Sequence, residues 1–177
     1  MKKKILLFQL LLFSFIILVL FYLLTIDRNP NEIPSAMIGK KVPAFKAKQI
    51  TNQKYFESPN QFSSEIVLVN FFATWCKPCL EEHKYIQLFS DKNKVKIIGI
   101  NYKDSSVKTL KWLKKLGNPY NIVAEDKNGR IAIDWGVYGI PETFVVNKNQ
   151  IITYRHVGPI NKKIYKKIST LINEIDK

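Results

Sequence analysis

Cysteine is almost absent from this 177-residue chain: it has two, and both fall in the run Trp75-Cys76-Lys77-Pro78-Cys79. A structural disulfide gains with the length of the loop it closes, so a pair two residues apart is a poor staple. It is a good reagent, because either thiol can attack a mixed disulfide formed at the other. Histidine is as scarce, with only His83 and His156. A zinc site on these thiols needs two further soft or imidazole ligands, and the two histidines have no ligand-like spacing. Zinc binding and an inert pair of buried thiols are the alternatives; the residues favour redox chemistry and no metal.

Acidic residues are also in short supply, 14 against 28 basic ones, for a formal net charge of +14. Arginine-rich helices and stacking motifs are lacking, and the lysines lie scattered beside Ile and Asn, which argues against a nucleic-acid partner. Contact with anionic lipid headgroups is a milder reading of the same charge. Repeats and low-complexity blocks are missing outside one apolar run.

That run, Ile5 to Ile26, carries no charge and follows Met1-Lys2-Lys3-Lys4. At about 1.5 Å per residue it spans roughly 33 Å as a helix, enough for a bilayer core. A cleaved signal peptide has a shorter apolar region and then a small-residue cleavage site, whereas Asp27-Arg28-Asn29-Pro30 follows here. We therefore expect a cytoplasmic N-terminus over 1–4, an uncleaved transmembrane anchor over 5–26, and a polar tether over 27–36. The remainder, 37–177, is expected to form one domain. The lysines keep the N-terminus inside, so in a bacterium the domain faces the periplasm, where disulfides persist.

Within the domain, Ile66 to Phe72 reads as a buried strand and Pro78 to Ile86 opens a helix. Cys76 thus sits at a strand-to-helix turn, where free backbone N–H groups and the helix dipole favour a thiolate. Val95 to Asn101 is a second strand. Ser105 caps a helix through Lys115 with Val107, Leu110, Leu113 and Leu116 on one face, ended by Gly117 and Pro119. Asn121 to Ala124 reads as a weak strand and Arg130 to Trp135 as a short helix, with Trp112 and Trp135 in the core. Thr143–Val146 and Ile151–Tyr154 flank the hairpin signal Asn147-Lys148-Asn149-Gln150. Asn161 to Ile175 closes as a helix. The order βαβαβαββα predicts an α/β fold, a mostly parallel sheet with an antiparallel edge and helices on both faces.

Trp-Cys-x-x-Cys between a strand and a helix, with Ile140-Pro141 before a later strand, resembles the thioredoxin fold. The long interval between the cysteines and Pro141 implies an inserted helix–strand unit. Gly136-Val137-Tyr138-Gly139-Ile140-Pro141-Glu142-Thr143-Phe144 is similar to the signature of the CcmG/DsbE group, membrane-tethered reductants of cytochrome c maturation. Ile33 to Lys40, Glu82-His83, Asn101 to Asp104, Leu116 to Tyr120 and Tyr154-Arg155-His156 resemble that group at matching places.

The residues and the resemblance together give each site position a role. Cys76 is the nucleophile and Cys79 the resolving thiol, with no cofactor beyond their redox-active disulfide. Pro78 stands where strong oxidants of this fold carry a histidine, which favours a reducing role. Six residues before Cys76, thioredoxins carry a buried aspartate that handles the second cysteine's proton; here the position is Asn70. Glu82, one helical turn beyond Cys79, is then the candidate proton acceptor. Glu142 is expected at the same mouth, where negative charge opposes a thiolate. The alternative for Glu82 and Glu142 is a solvated surface charge. The resemblance implies a cis Pro141 that leaves the Ile140 backbone free to pair with an extended substrate. Trp75 and Tyr138 are expected to shape the groove, with ordinary packing as the alternative for each.

The resemblance implies a membrane-tethered thiol:disulfide reductase acting on the Cys-x-x-Cys-His segment of apocytochrome c or on a mixed disulfide with CcmH. Its electrons would come from a membrane thiol reductase of the DsbD or CcdA type. A general periplasmic reductase or isomerase of the TlpA/ResA kind, and a non-catalytic adaptor of the haem-loading complex, are the competing readings.

Overall fold

The computed structural model describes residues 2–25, 36–62, 65–93 and 95–175. The chain divides into two units, 1–33 and 34–177. In the first, helix α1 (Lys2–Thr25) is uncharged from its second turn onward and long and apolar enough to cross a membrane. Of the expected tether, residues 27–35 lie outside the described residues.

The second unit is built around a strand buried on every residue, β3 (Val67–Phe72). It is preceded by β1 (Phe45–Lys48) and β2 (Tyr55–Ser58), which pair antiparallel as a separate two-stranded sheet. After β3 come α2 (Lys77–Asn93), β4 (Lys96–Tyr102), α3 (Ser106–Leu116), β5 (Ile122–Asp126) and α4 (Arg130–Asp134). Strands β6 (Glu142–Val146) and β7 (Ile152–Val157) and helix α5 (Lys162–Ile175) complete the domain. The main sheet has the order β5-β4-β3-β6-β7, with β3, β4 and β5 parallel and β6 and β7 antiparallel to their neighbours. This is the mixed sheet and thioredoxin-like order expected, and the unit α3–β5 supplies its edge strand.

Because side chains alternate across a strand, β3 feeds two cores. Leu68 and Phe72 join Ile86 and Phe89 of α2 with Ile168 and Ile172 of α5. Val67, Val69 and Phe71 face the opposite way, with Phe56, Phe62 and Trp135. Asn70 falls on the side of Leu68 and Phe72, the side that α2 covers, and is fully buried. A polar residue there needs partners, and the site supplies them.

Two expectations change. The β1–β2 hairpin escapes the sequence pattern because Phe45-Lys46-Ala47-Lys48 is short and half lysine, and what buries it is its position beside β5 rather than its own periodicity. On α3 the expected apolar stripe is rotated: Val107 is 63% and Leu110 39% exposed, while Thr109 and Leu113 point inward. The Thr109 hydroxyl donates to Asn101 Oδ1 at 3.1 Å, and that buried polar contact turns the helix. Ser105 does cap α3, accepting from the Lys108 amide. Trp135 is fully buried, and Trp112 is half-buried against Phe72 and His83.

Candidate active site

The β3-to-α2 turn delivers the cysteines. Cys76 precedes the first residue of α2, and its carbonyl accepts the first helical hydrogen bond, from the Leu80 amide at 3.3 Å. Cys76 and Cys79 are joined in a disulfide with their Cα atoms 5.3 Å apart. The Cys79 backbone N–H points at Cys76 Sγ, 3.1 Å away. In the reduced state that amide and the helix N-terminus both favour negative charge on Cys76. Cys76 is 5% and Cys79 2% exposed, so both are shielded, Cys76 slightly less so.

Glu82 is 1% exposed and cannot be a solvated helix charge. Its Oε1 accepts from Asn70 Nδ2 at 2.8 Å and its Oε2 from the Ile160 amide at 2.9 Å. Burial pushes its carboxyl up to about 7, against those two donors, which pull it down. A carboxyl poised there exchanges a proton at neutral pH with little driving force lost. Asn70, expected to leave an acid missing at its position, is in direct contact with the buried acid Glu82.

Glu142 departs from its expected place. It is 0% exposed and offers no charge to the mouth of the site. Its Oε2 is bound by Arg155 of β7, and its Oε1 accepts from the amides of Tyr138 and Gly139 at 3.2 and 3.4 Å. Burial pushes its carboxyl above the usual range, with Arg155 opposing the shift. Glu142 thus holds the 136–140 loop from within. The Ile140–Pro141 peptide is cis, and the Ile140 carbonyl oxygen lies 3.7 Å from Cys76 Sγ.

Trp75 and Tyr138 are 59% and 61% exposed. Trp75 Nε1 donates to the Lys103 carbonyl at 3.3 Å, and the Arg155 guanidinium lies 4.8 Å from the centre of the Tyr138 ring. Each is held by one neighbour and otherwise open to solvent, unlike a core side chain. Ile140 is half-buried and Pro141 buried. Among the described residues no cluster of three or more His, Cys, Asp or Glu could hold a metal ion. His83 is buried, with Nε2 3.0 Å from the Gly117 carbonyl, and His156 lies 3.4 Å from the Pro159 carbonyl.

Sequence reasoning gave no role to Arg155, Asp104 or Tyr120. Arg155 is one of only three arginines in a lysine-rich chain, and a fork-shaped donor set inside a strand signals a carboxylate partner. Asp104 Oδ2 accepts from the Thr74 amide at 2.6 Å, fixing the turn before Cys76 to the start of α3. Tyr120 falls in the family-like segment Leu116 to Tyr120, but nothing in the local pattern ties it to Asn70.

The redoxin family profile matches residues 37–172. Over 169 residues the chain is 38% identical to the thiol:disulfide interchange protein DsbE of Escherichia coli K12, covering 93% of this chain and 91% of that one. It is 42% identical to the DsbE of Haemophilus influenzae over 170 residues, covering 93% and 92%. Among solved structures, a secreted thiol-disulfide isomerase from Corynebacterium glutamicum superposes with a TM-score of 0.67 at 18% identity, over 77% of this chain and 86% of that one. A thioredoxin-family thiol:disulfide interchange protein from Chlorobium tepidum gives 0.62 at 23%, over 75% and 94%. At such identities the superpositions establish the fold alone.

Proposed function

This chain belongs to the DsbE family of thiol:disulfide interchange proteins, and we propose that it works as a membrane-tethered reductant in cytochrome c maturation. Its activity is that of a thiol:disulfide oxidoreductase. The observation that carries the reducing direction is Glu82, an acid buried one turn beyond Cys79.

The reduced enzyme begins as a Cys76 thiolate, held by the Cys79 amide and the start of α2. It attacks one sulfur of a substrate disulfide, forms a mixed disulfide and releases the first substrate thiol. Cys79 then gives its proton to Glu82 and attacks Cys76 Sγ. That breaks the mixed disulfide, releases the second substrate thiol and closes the Cys76–Cys79 disulfide. Two electrons pass to the substrate, and the pair needs no other cofactor. A buried negative charge at Glu82 disfavours a lasting thiolate and so makes the dithiol a better reductant.

The substrate we propose is the Cys-x-x-Cys-His disulfide of apocytochrome c, or a mixed disulfide with a CcmH-type partner. The exposed rings of Trp75 and Tyr138 and the backbone of Ile140, set by the cis Pro141 beside it, would receive it as an extended segment. Reoxidised enzyme would be reduced by a DsbD- or CcdA-type membrane thiol reductase. Helix α1 would cross the bacterial inner membrane once, with residues 1–4 in the cytoplasm and 37–177 in the periplasm.

Expression of Cys79→Ser in cells making c-type cytochromes tests the substrate. Cys79→Ser keeps the attacking thiol and removes the resolving one, so bound substrate stays attached. Haem-attachment peptides or CcmH in the trapped material support the reading. A broad mixture of envelope proteins replaces it with a general reductase.

A further inference from the structure

The hydroxyl of Tyr120 is buried 50 positions along the chain from Asn70 and donates to its Oδ1 at 2.9 Å. The same amide's Nδ2 donates to Glu82 Oε1 at 2.8 Å and to Thr143 Oγ1 at 3.0 Å. All four side chains are buried. An asparagine amide has two opposite ends, and which end faces a carboxylate decides whether it stabilises the charged or the neutral form.

We propose that Tyr120 is a positioning residue for the thiol chemistry: its hydroxyl fixes the Asn70 amide so that the donor end, rather than the carbonyl, meets Glu82. The proposal rests on the reading of Glu82 as the proton acceptor for Cys79. Burial, and after it the charge of Glu82, pushes the Tyr120 phenol well above its usual range, so it remains a donor throughout the working pH. With its hydroxyl hydrogen given to Asn70 Oδ1, Tyr120 holds the amide carbonyl on its own side. The amide N–H groups are then committed to Glu82 and Thr143.

Other groups around Glu82 cannot do this. The Ile160 amide, just before α5, binds the other carboxyl oxygen and has one fixed polarity. Thr143 on β6 meets the Nδ2 end of the amide at 3.0 Å, whereas Tyr120 is the group on the carbonyl end. On α2 the titratable residues within three positions are Cys79, Glu81, His83, Lys84 and Tyr85; Glu81 and Lys84 are exposed, and the His83 Nε2 is turned to the Gly117 carbonyl. Among the described residues, no lysine, arginine or histidine forms an ion pair with Glu82. The ionised state therefore depends on two donors, and Tyr120 controls the orientation of one.

Tyr120 is itself locked by packing. Its ring stacks on Phe72, with centroids 4.6 Å apart and planes at 17°. Gly99 on β4 makes the room: a Cβ there would stand 2.8 Å from both Phe72 Cε1 and Tyr120 Cδ1. The phenol oxygen therefore has little freedom to leave Asn70.

The test is an infrared titration of the Glu82 carboxyl in the full-length oxidised protein in detergent, its band assigned as the one lost in Glu82→Gln. Tyr120→Phe frees the amide to turn its carbonyl to a protonated Glu82, so the titration midpoint should rise by about one pH unit, a tenfold change in proton affinity. In a Glu82→Gln background, Tyr120→Phe should leave the pH profile of thiol alkylation where Glu82→Gln put it. If Tyr120→Phe does not fold, 3-fluorotyrosine placed at position 120 keeps the shape and strengthens the donor, and the midpoint should fall. An unmoved midpoint, in whichever variant is read, overturns the role of Tyr120. Failure of the underlying reading looks different: Glu82→Gln would leave thiol chemistry unchanged even though the carboxyl titration responds to Tyr120.

Discussion

Arg155 and Glu142 form a buried ion pair across β6 and β7, with Nη2 2.7 Å from Oε2 and side-chain exposures of 6% and 0%. The same guanidinium donates to the Gly136 carbonyl at 3.0 Å, and the other carboxyl oxygen takes the Tyr138 and Gly139 amides. One pair thus ties down both ends of the loop that brings the Ile140 carbonyl to Cys76.

Arg155→Met should be costly, because it strands a buried carboxylate. Breaking such a pair from one side costs about 3–5 kcal/mol. Urea unfolding should show that loss, and the double variant Arg155→Met/Glu142→Gln should recover part of it. A loss below about 1 kcal/mol in the single variant would mean the pair is screened and does not hold the loop.

The pH dependence of stability should carry the signature of Glu82. Its carboxyl titrates at about 7 in the folded chain against an ordinary value of 4.5. Between those values the folded state binds more protons than the unfolded, so stability falls as pH rises. The loss across the window is on the order of 3 kcal/mol. Unfolding of the oxidised protein at pH 4.5 and pH 8 measures it, and Glu82→Gln should flatten the slope. An equal slope in that variant assigns the effect elsewhere.

Glu82→Gln should also slow the release of reduced substrate, by about 100-fold if Glu82 is the general base for Cys79. Without the carboxylate, the Cys76 pKa should fall and the couple should become less reducing. Stopped-flow reduction of a model disulfide, together with a redox titration against glutathione, separates the two effects. No change in either makes Glu82 a structural acid only.

The order of attack predicts an asymmetry between the cysteines. Cys79→Ser should accumulate mixed disulfides and react with alkylating reagents through Cys76. Cys76→Ser should do neither, since Cys79 is 2% exposed and lies inside the first turn of α2. Comparable trapping by both variants would reverse or abolish the assignment.

Gly99→Ala, on the strand position paired with Asn70, provides a second check on Tyr120. The added methyl overpacks the Phe72–Tyr120 stack, at about 1–3 kcal/mol. It should shift the Glu82 titration in the same direction as Tyr120→Phe, although Gly99 forms no bond to Glu82. A loss of stability with an unmoved carboxyl would show that the stack and the hydrogen-bond chain are independent.

Much of this protein was legible in one dimension. The Trp75-Cys76-Lys77-Pro78-Cys79 cluster, the strand before it and the helix after it are local, and local periodicity and capping report them directly. The apolar run that becomes α1 and the hairpin around Asn147-Lys148-Asn149-Gln150 are local in the same way. Glu82 could be placed on the helix of the cysteines by spacing alone. Its burial, its partners and its raised pKa could not, because they come from β3, from the segment before α5 and from the loop after α3. The same holds for Glu142, which sequence placed at the mouth and the fold turned toward Arg155, 13 residues away on the next strand. A charge pattern records which groups are present. Whether a group faces water, and which donor it meets once water is gone, is settled only when strands and helices distant in the chain close over it, since both desolvation and hydrogen bonding depend on what lies within a few ångströms in space.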